Sequence, residues 1–144
     1  MNARIIGTGR YAPEKTYTVE EMSKLLGEDI SGFMNPLGIE QRRQTGAKES
    51  TTDLAVQAAS RAITSAKMKP EEIDLLILST DTPDIISPPT AASVAYQLGM
   101  RDGAAFFDIN VSCTGFVFAS EMAKNWIKGN LDYENILIVS AYNM

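Results

Sequence analysis

Four short, nearly continuous apolar runs punctuate the chain: Arg4 to Thr8, Asp74 to Thr80, Ala104 to Asn110 and Asn135 to Ala141. Runs of this length without polar alternation predict strands covered on both faces, as in a parallel sheet. Helical patterns separate them. Thr18-Val19-Glu20-Glu21 reads as a capping box, with Glu21 reaching back to the Thr18 amide, and the helix it opens runs to about Leu26 before Gly27 stops it. A second helix begins near Thr52 and carries Leu54, Ala55, Ala58, Ala59, Ala62, Ile63 and Ala66 on one face. Pro70-Glu71-Glu72 predicts a short helical turn, Pro88-Pro89-Thr90 opens a third helix ending near Leu98-Gly99, and a fourth runs from just after Cys113 to Gly129.

Strands alternating with helices predict an α/β fold with a mostly parallel, mixed sheet and helices on both faces. On the fourth helix, Phe116, Phe118, Ala119, Met122, Ala123, Trp126 and Ile127 cover about half the circumference, where packing on a sheet needs a stripe of only ~100°. The excess predicts contact with the sheet and with a further layer or subunit.

In such sheets ligands bind at the carboxyl ends of the strands. Cys113, the only cysteine, follows the run Ala105-Phe106-Phe107-Asp108-Ile109 and precedes the fourth helix. A thiol there faces unpaired N–H groups and the positive end of the helix dipole, which favour the nucleophilic thiolate. A lone cysteine also serves as a small buried hydrophobe, and on position alone both readings stand.

The remaining composition narrows the chemistry. At 144 residues the chain is long enough for one well-packed domain, and a net charge of −5 with no basic stripe argues against nucleic acid as a partner. No run approaches the ~18 apolar residues of a membrane span, and a single cysteine forms no internal disulfide, so the expectation is a cytoplasmic protein without membrane contact. The sequence has no histidine, which removes the commonest general base and metal ligand, and no metal is expected.

Three segments invite functional readings. Gly7-Thr8-Gly9-Arg10-Tyr11-Ala12 fits a loose dinucleotide pattern, but Pro13 follows and the next helix opens only near Thr18, so the glycines read better as a tight strand exit. Gly38-Ile39-Glu40-Gln41-Arg42-Arg43 reads as a solvated loop in which the arginines could contact a phosphate or carrier protein. Asp81 to Thr90 predicts a rigid loop at the same sheet edge as Cys113, with Ile85, Ile86 and Pro88 either lining an apolar pocket or packing internally.

Together these segments resemble the N-terminal half of the beta-ketoacyl-[acyl carrier protein] synthase III family of the thiolase-like superfamily. The likeness rests on Ile5 to Glu14, Gly38-Ile39 with Arg42, Asp74 to Thr80, Pro89-Thr90-Ala91-Ala92 with Leu98-Gly99, Asp108 through Cys113 to Gly115-Phe116, and Ile136 to Ser140. The resemblance implies that residues 1–144 form a single thiolase-like half-domain whose C-terminal half is absent. It implies Cys113 as both nucleophile and backbone oxyanion donor. The substrates implied are an acyl-CoA or acyl-carrier primer and malonyl-acyl carrier protein, joined by decarboxylative condensation without a cofactor. Phe33, Arg42, Ile86 and Pro88 would contact substrate, and the enzyme would be a homodimer.

The chain also departs from that pattern. The family's catalytic histidine and asparagine belong to the second half, and a further strand that members add to the first sheet is missing. Typical bacterial members carry a tryptophan and an arginine before Gly38 that clamp coenzyme A. Here Ile30 to Leu37 offers Phe33 for stacking and Pro36 about where the arginine would fall, so a carrier-bound donor is an alternative. Ser112 replaces the usual alanine. Two other readings stay open: a non-catalytic, dimerising half, and a sister thiolase-like enzyme such as a hydroxymethylglutaryl-CoA synthase or a polyketide starter synthase.

Overall fold

The computed structural model describes residues 3–129 and 132–143; Met144, on which the sequence ends, lies outside them. The described residues form two compact units, one of residues 3–11 with 50–129 and 132–143, and one of residues 12–49.

In the smaller unit, β1 (Thr16–Thr18) runs antiparallel to β2 (Gln41–Arg43), with Tyr17 opposite Arg42. The segment read as a solvated loop from its charges is therefore partly a strand. Its three polar residues are exposed, so no buried face wrote an apolar period into the sequence. Helix α1 (Val19–Leu26) opens on the expected box: the Glu21 amide donates to Thr18 Oγ1 at 3.2 Å and the Thr18 amide donates to Glu21 Oε2 at 2.8 Å. Gly27 ends it in the left-handed conformation. A short helix α2 (Ser31–Met34), too brief for a periodic signal, follows.

The larger unit is built on three parallel strands in the order β4-β3-β5, with β3 (Leu75–Ser79), β4 (Ala105–Ile109) and β5 (Ile136–Ser140). Leu75 aligns with Ala105 on one side and Ile136 on the other. Successive residues of a strand point to opposite faces. Leu76 and Leu78 of β3, with Leu137 and Val139 of β5, pack against α3 (Thr51–Ala66) and α4 (Thr90–Leu98). Leu75 and Ile77 face the other way, toward Ala119, Met122 and Trp126 of α5 (Gly115–Lys128). Helices thus cover both faces, and every residue of the central strand is buried, which is why that run shows no alternation. Asp74 ties the amino ends of the strands together. Its carboxylate accepts from the amides of Glu134 and Asn135 and pairs with Arg101 at 2.9 Å.

The first apolar run corrects the strand expected there. Residues 4–8 form no strand or helix. They flank an open groove of about 570 Å³ whose other walls are α3, α5 and β5, and they pair with none of the described strands. The glycines are likewise not a tight exit. Side chains at Gly7 and Gly9 would collide with the α3 backbone at Ala62 and Ala58, so they allow the segment to lie directly against that helix.

Candidate active site

The order β4-β3-β5 fixes where a site belongs. From β3 the chain crosses through α4 on one face to β4; from β4 it crosses through α5 on the opposite face to β5. The connections leaving β3 and β4 therefore part to opposite faces, the topological position at which open α/β sheets bind ligands. One connection is the loop 80–89. The other carries Cys113.

After Ile109 the chain enters a 3-10 turn, Ser112–Thr114, that runs straight into α5. Cys113 sits in the middle of this turn and is exposed, which removes the core-filler reading. The turn is held from several sides. Thr114 donates to the Val111 carbonyl through its hydroxyl at 2.8 Å and its amide at 3.3 Å. Ser112 adopts a left-handed φ of 48°, a conformation unfavourable for a residue with a Cβ. Its carbonyl accepts from the Gly115 amide and from the Tyr142 hydroxyl, the latter at 2.8 Å. Gly115 is itself buried against the end of β3, where a Cβ would collide with Ser79 Oγ. Glycine here lets the start of α5 approach the sheet and seats the thiol at its carboxyl edge.

The neighbouring connection is fixed by two carboxylates. Asp84 accepts from the Thr51 and Thr52 amides at 2.9 and 2.8 Å and so binds the loop 80–89 to the first turn of α3. Burial works to raise its pKa, but hydrogen bonds from Thr52 and Thr51 outweigh it and hold the carboxyl below its usual range. Asp108, near the end of β4, accepts from the Thr90 and Ala91 amides, both at 2.8 Å, at the start of α4. Thr82 joins three segments. Its carbonyl accepts from Thr51 Oγ1 at 2.6 Å, its amide donates to Thr80 Oγ1, and its hydroxyl accepts from the Asn143 amide at 2.9 Å.

Of the residues singled out in the sequence, Cys113, Ile86 and Pro88 stand on connections leaving the same sheet edge. Ile86 is 90% exposed and Pro88 is exposed too, so internal packing does not account for them. Phe33, 67% exposed on α2, and Arg42, exposed on β2, belong to the smaller unit. Tyr142 was not singled out, and the sequence gives no sign of it: its partner is 30 residues away and only the fold joins them. Among the described residues no group of three or more His, Cys, Asp or Glu could hold a metal ion, and no helix is long and apolar enough to cross a membrane.

Comparison with known proteins agrees with this architecture. The family model described as 3-Oxoacyl-[acyl-carrier-protein (ACP)] synthase III matches residues 107–144, the stretch from β4 through the cysteine turn and α5 to β5. The chain is 44% identical over 140 residues to a beta-ketoacyl-[acyl-carrier-protein] synthase III of Clostridium acetobutylicum, covering 96% of this chain and 42% of that protein. Its fold is similar to the crystal structure of 3-oxoacyl-[acyl-carrier-protein] synthase III from Aquifex aeolicus, with a TM-score of 0.86 and 37% identity over 96% of this chain and 44% of the other. It is also similar to the priming beta-ketosynthase of the R1128 polyketide pathway, with a TM-score of 0.90 and 29% identity over 98% and 42% of the two chains. The chain thus spans about two-fifths of the length of the curated relatives it matches. In sequence and in its thiolase-like α/β fold, the chain is similar to part of the beta-ketoacyl-[acyl-carrier-protein] synthase III proteins.

Proposed function

We propose that this chain is the nucleophile-bearing half of a cytoplasmic acyl-thioester condensing enzyme of fatty-acid or related polyketide biosynthesis. The observation that carries this reading is an exposed thiol on a pinned turn at the carboxyl edge where β3 and β4 send their connections to opposite faces. The Cys113 thiolate attacks the carbonyl of an acyl-CoA or acyl-carrier thioester. A new carbon–sulfur bond forms, the donor's breaks, and the donor leaves as a free thiol. Malonyl-acyl carrier protein then loses carbon dioxide, its carbanion attacks the acyl-cysteine, and Cys113 is released as a 3-oxoacyl thioester forms.

The Cys113 amide lies in the first turn, where N–H groups lack an acceptor within the helix, and it would donate to the oxyanion of each addition. Ile86 and Pro88 would meet the acyl donor at the rim, and Phe33 and Arg42 are further candidate contacts. The sequence contains no histidine to assist decarboxylation, so condensation draws on groups of the second half. Residues 1–144 act as one half-domain in a homodimer. Phe106, Phe116 and Phe118, 41–55% exposed, supply apolar surface for association.

The same absence of histidine favours a second reading, a dimerising half without turnover. Intact-mass measurement after incubation with acetyl-CoA, with peptide mapping, separates the two. One acetyl group on Cys113 is expected, and an unmodified thiol under both acetyl-CoA and acetyl-carrier protein would favour the structural reading.

A further inference from the structure

We propose that Tyr142 is a positioning residue for the peptide group that joins Ser112 to Cys113. This rests on the acyl-transfer reading, because it concerns the donor that reading assigns to the oxyanion. The carbonyl of that peptide group belongs to Ser112 and its N–H to Cys113. They lie in one plane, so whatever fixes the carbonyl also aims the N–H. The Ser112 carbonyl has two acceptor sites, and two donors converge on it: the Gly115 amide from within the turn and the Tyr142 hydroxyl, at 2.8 Å, from the segment beyond β5.

The plane needs such support. Ser112 holds a left-handed φ of 48°, and relaxing it to negative φ would rotate the peptide and carry the Cys113 N–H with it. A hydrogen bond accepted by an amide carbonyl also polarises the amide and strengthens its N–H as a donor. The segment carrying Tyr142 is tethered in turn, since the next residue, Asn143, donates its amide to Thr82 Oγ1 at 2.9 Å. Tyr142 thus passes the position of the loop 80–89 to the peptide at Cys113 and makes no contact with the acyl group itself.

Tyr142→Phe removes only the hydroxyl. In the labelled 144-residue chain, the Ser112 carbonyl carbon and the Cys113 amide resonances are expected to move upfield while amides of β3 and α3 stay in place. Acylation of Cys113 by acetyl-CoA is expected to slow by about 3- to 10-fold, the range one neutral hydrogen bond supplies. Alkylation by iodoacetamide, which needs no oxyanion donor, keeps its rate and its pH profile. Unmoved resonances, or equal losses in acylation and alkylation, would overturn the proposal, the second by showing general support of the turn. If the resonances move but the parent chain accepts no acetyl group, the acyl-transfer reading fails while the positioning of the peptide stands.

Discussion

The two faces of the parallel sheet are finished to different degrees. On the α3/α4 face, Leu76, Leu78, Leu137 and Val139 meet Leu54, Ile63, Val94 and Leu98 in a continuous buried cluster. On the α5 face the buried cluster is smaller, Leu75, Ile77 and Ala119, with Phe107, Trp126 and Ile138 packed around it but partly open. The helix starts differ in the same way. Those of α3 and α4 each receive a carboxylate from another segment, Asp84 and Asp108. Helix α5 has no side-chain cap and no acid in its first turn. It is held by the close approach of Gly115 to Ser79, which leaves the positive end of its dipole unneutralised beside Cys113. One face is closed and the other is left partly open, with the candidate thiol at the start of its helix.

The largest expected effect tests the core asymmetry within one strand. Leu137→Ala, on the closed face, should cost about 2–5 kcal/mol in urea unfolding. Ile138→Ala, one residue on and facing α5, should cost clearly less because its side chain is already partly in water. Equal losses would mean that the α5 face is as well packed as the other.

Next is the seat of the thiol. Gly115→Ala forces a Cβ onto Ser79 and should destabilise by about 1–3 kcal/mol. Pairing it with Ser79→Gly should recover much of the loss, as expected for residues in direct contact. Additive losses would show that the crowding lies elsewhere.

The smallest effect concerns the carboxylate clamp. Asp84 has its pKa lowered in the folded protein, so its contribution is fully present above the ordinary carboxylate value of about 3.9 and is lost as pH falls through the lower folded value. Asp84→Asn should cost about 1–2 kcal/mol at pH 7, consistent with hydrogen bonds to a charged group. The gap between variant and parent should close on acidification in thermal unfolding curves. A gap that persists at pH 2 would assign the effect to geometry and not charge.

Much of this was written locally. The box at Thr18 and Glu21, the glycine stops at Gly27 and Gly99, and the unbroken apolar run of β3 are set by neighbours in sequence, so the four longer helices and the three strands of the parallel sheet were legible to within a residue or two. The prominence of Cys113 was legible too, because it follows a buried strand and opens a helix. The apolar segment at 4–8 shows the limit. It has the composition of a strand, yet a strand exists only where a partner offers a ladder, and partners are assigned by the fold. Arg42 shows the converse, an exposed polar strand that pairing alone defines. What the sequence by itself determined is the longer helices, the three strands of the parallel sheet and the candidate thiol, since capping, periodicity and burial act over a few residues. Only the tertiary structure decided that Asp84 reaches Thr51 and Thr52, that Gly115 must clear Ser79, and that Tyr142 reaches the carbonyl before Cys113. These contacts span some 30 to 40 residues of chain and leave no local pattern to read.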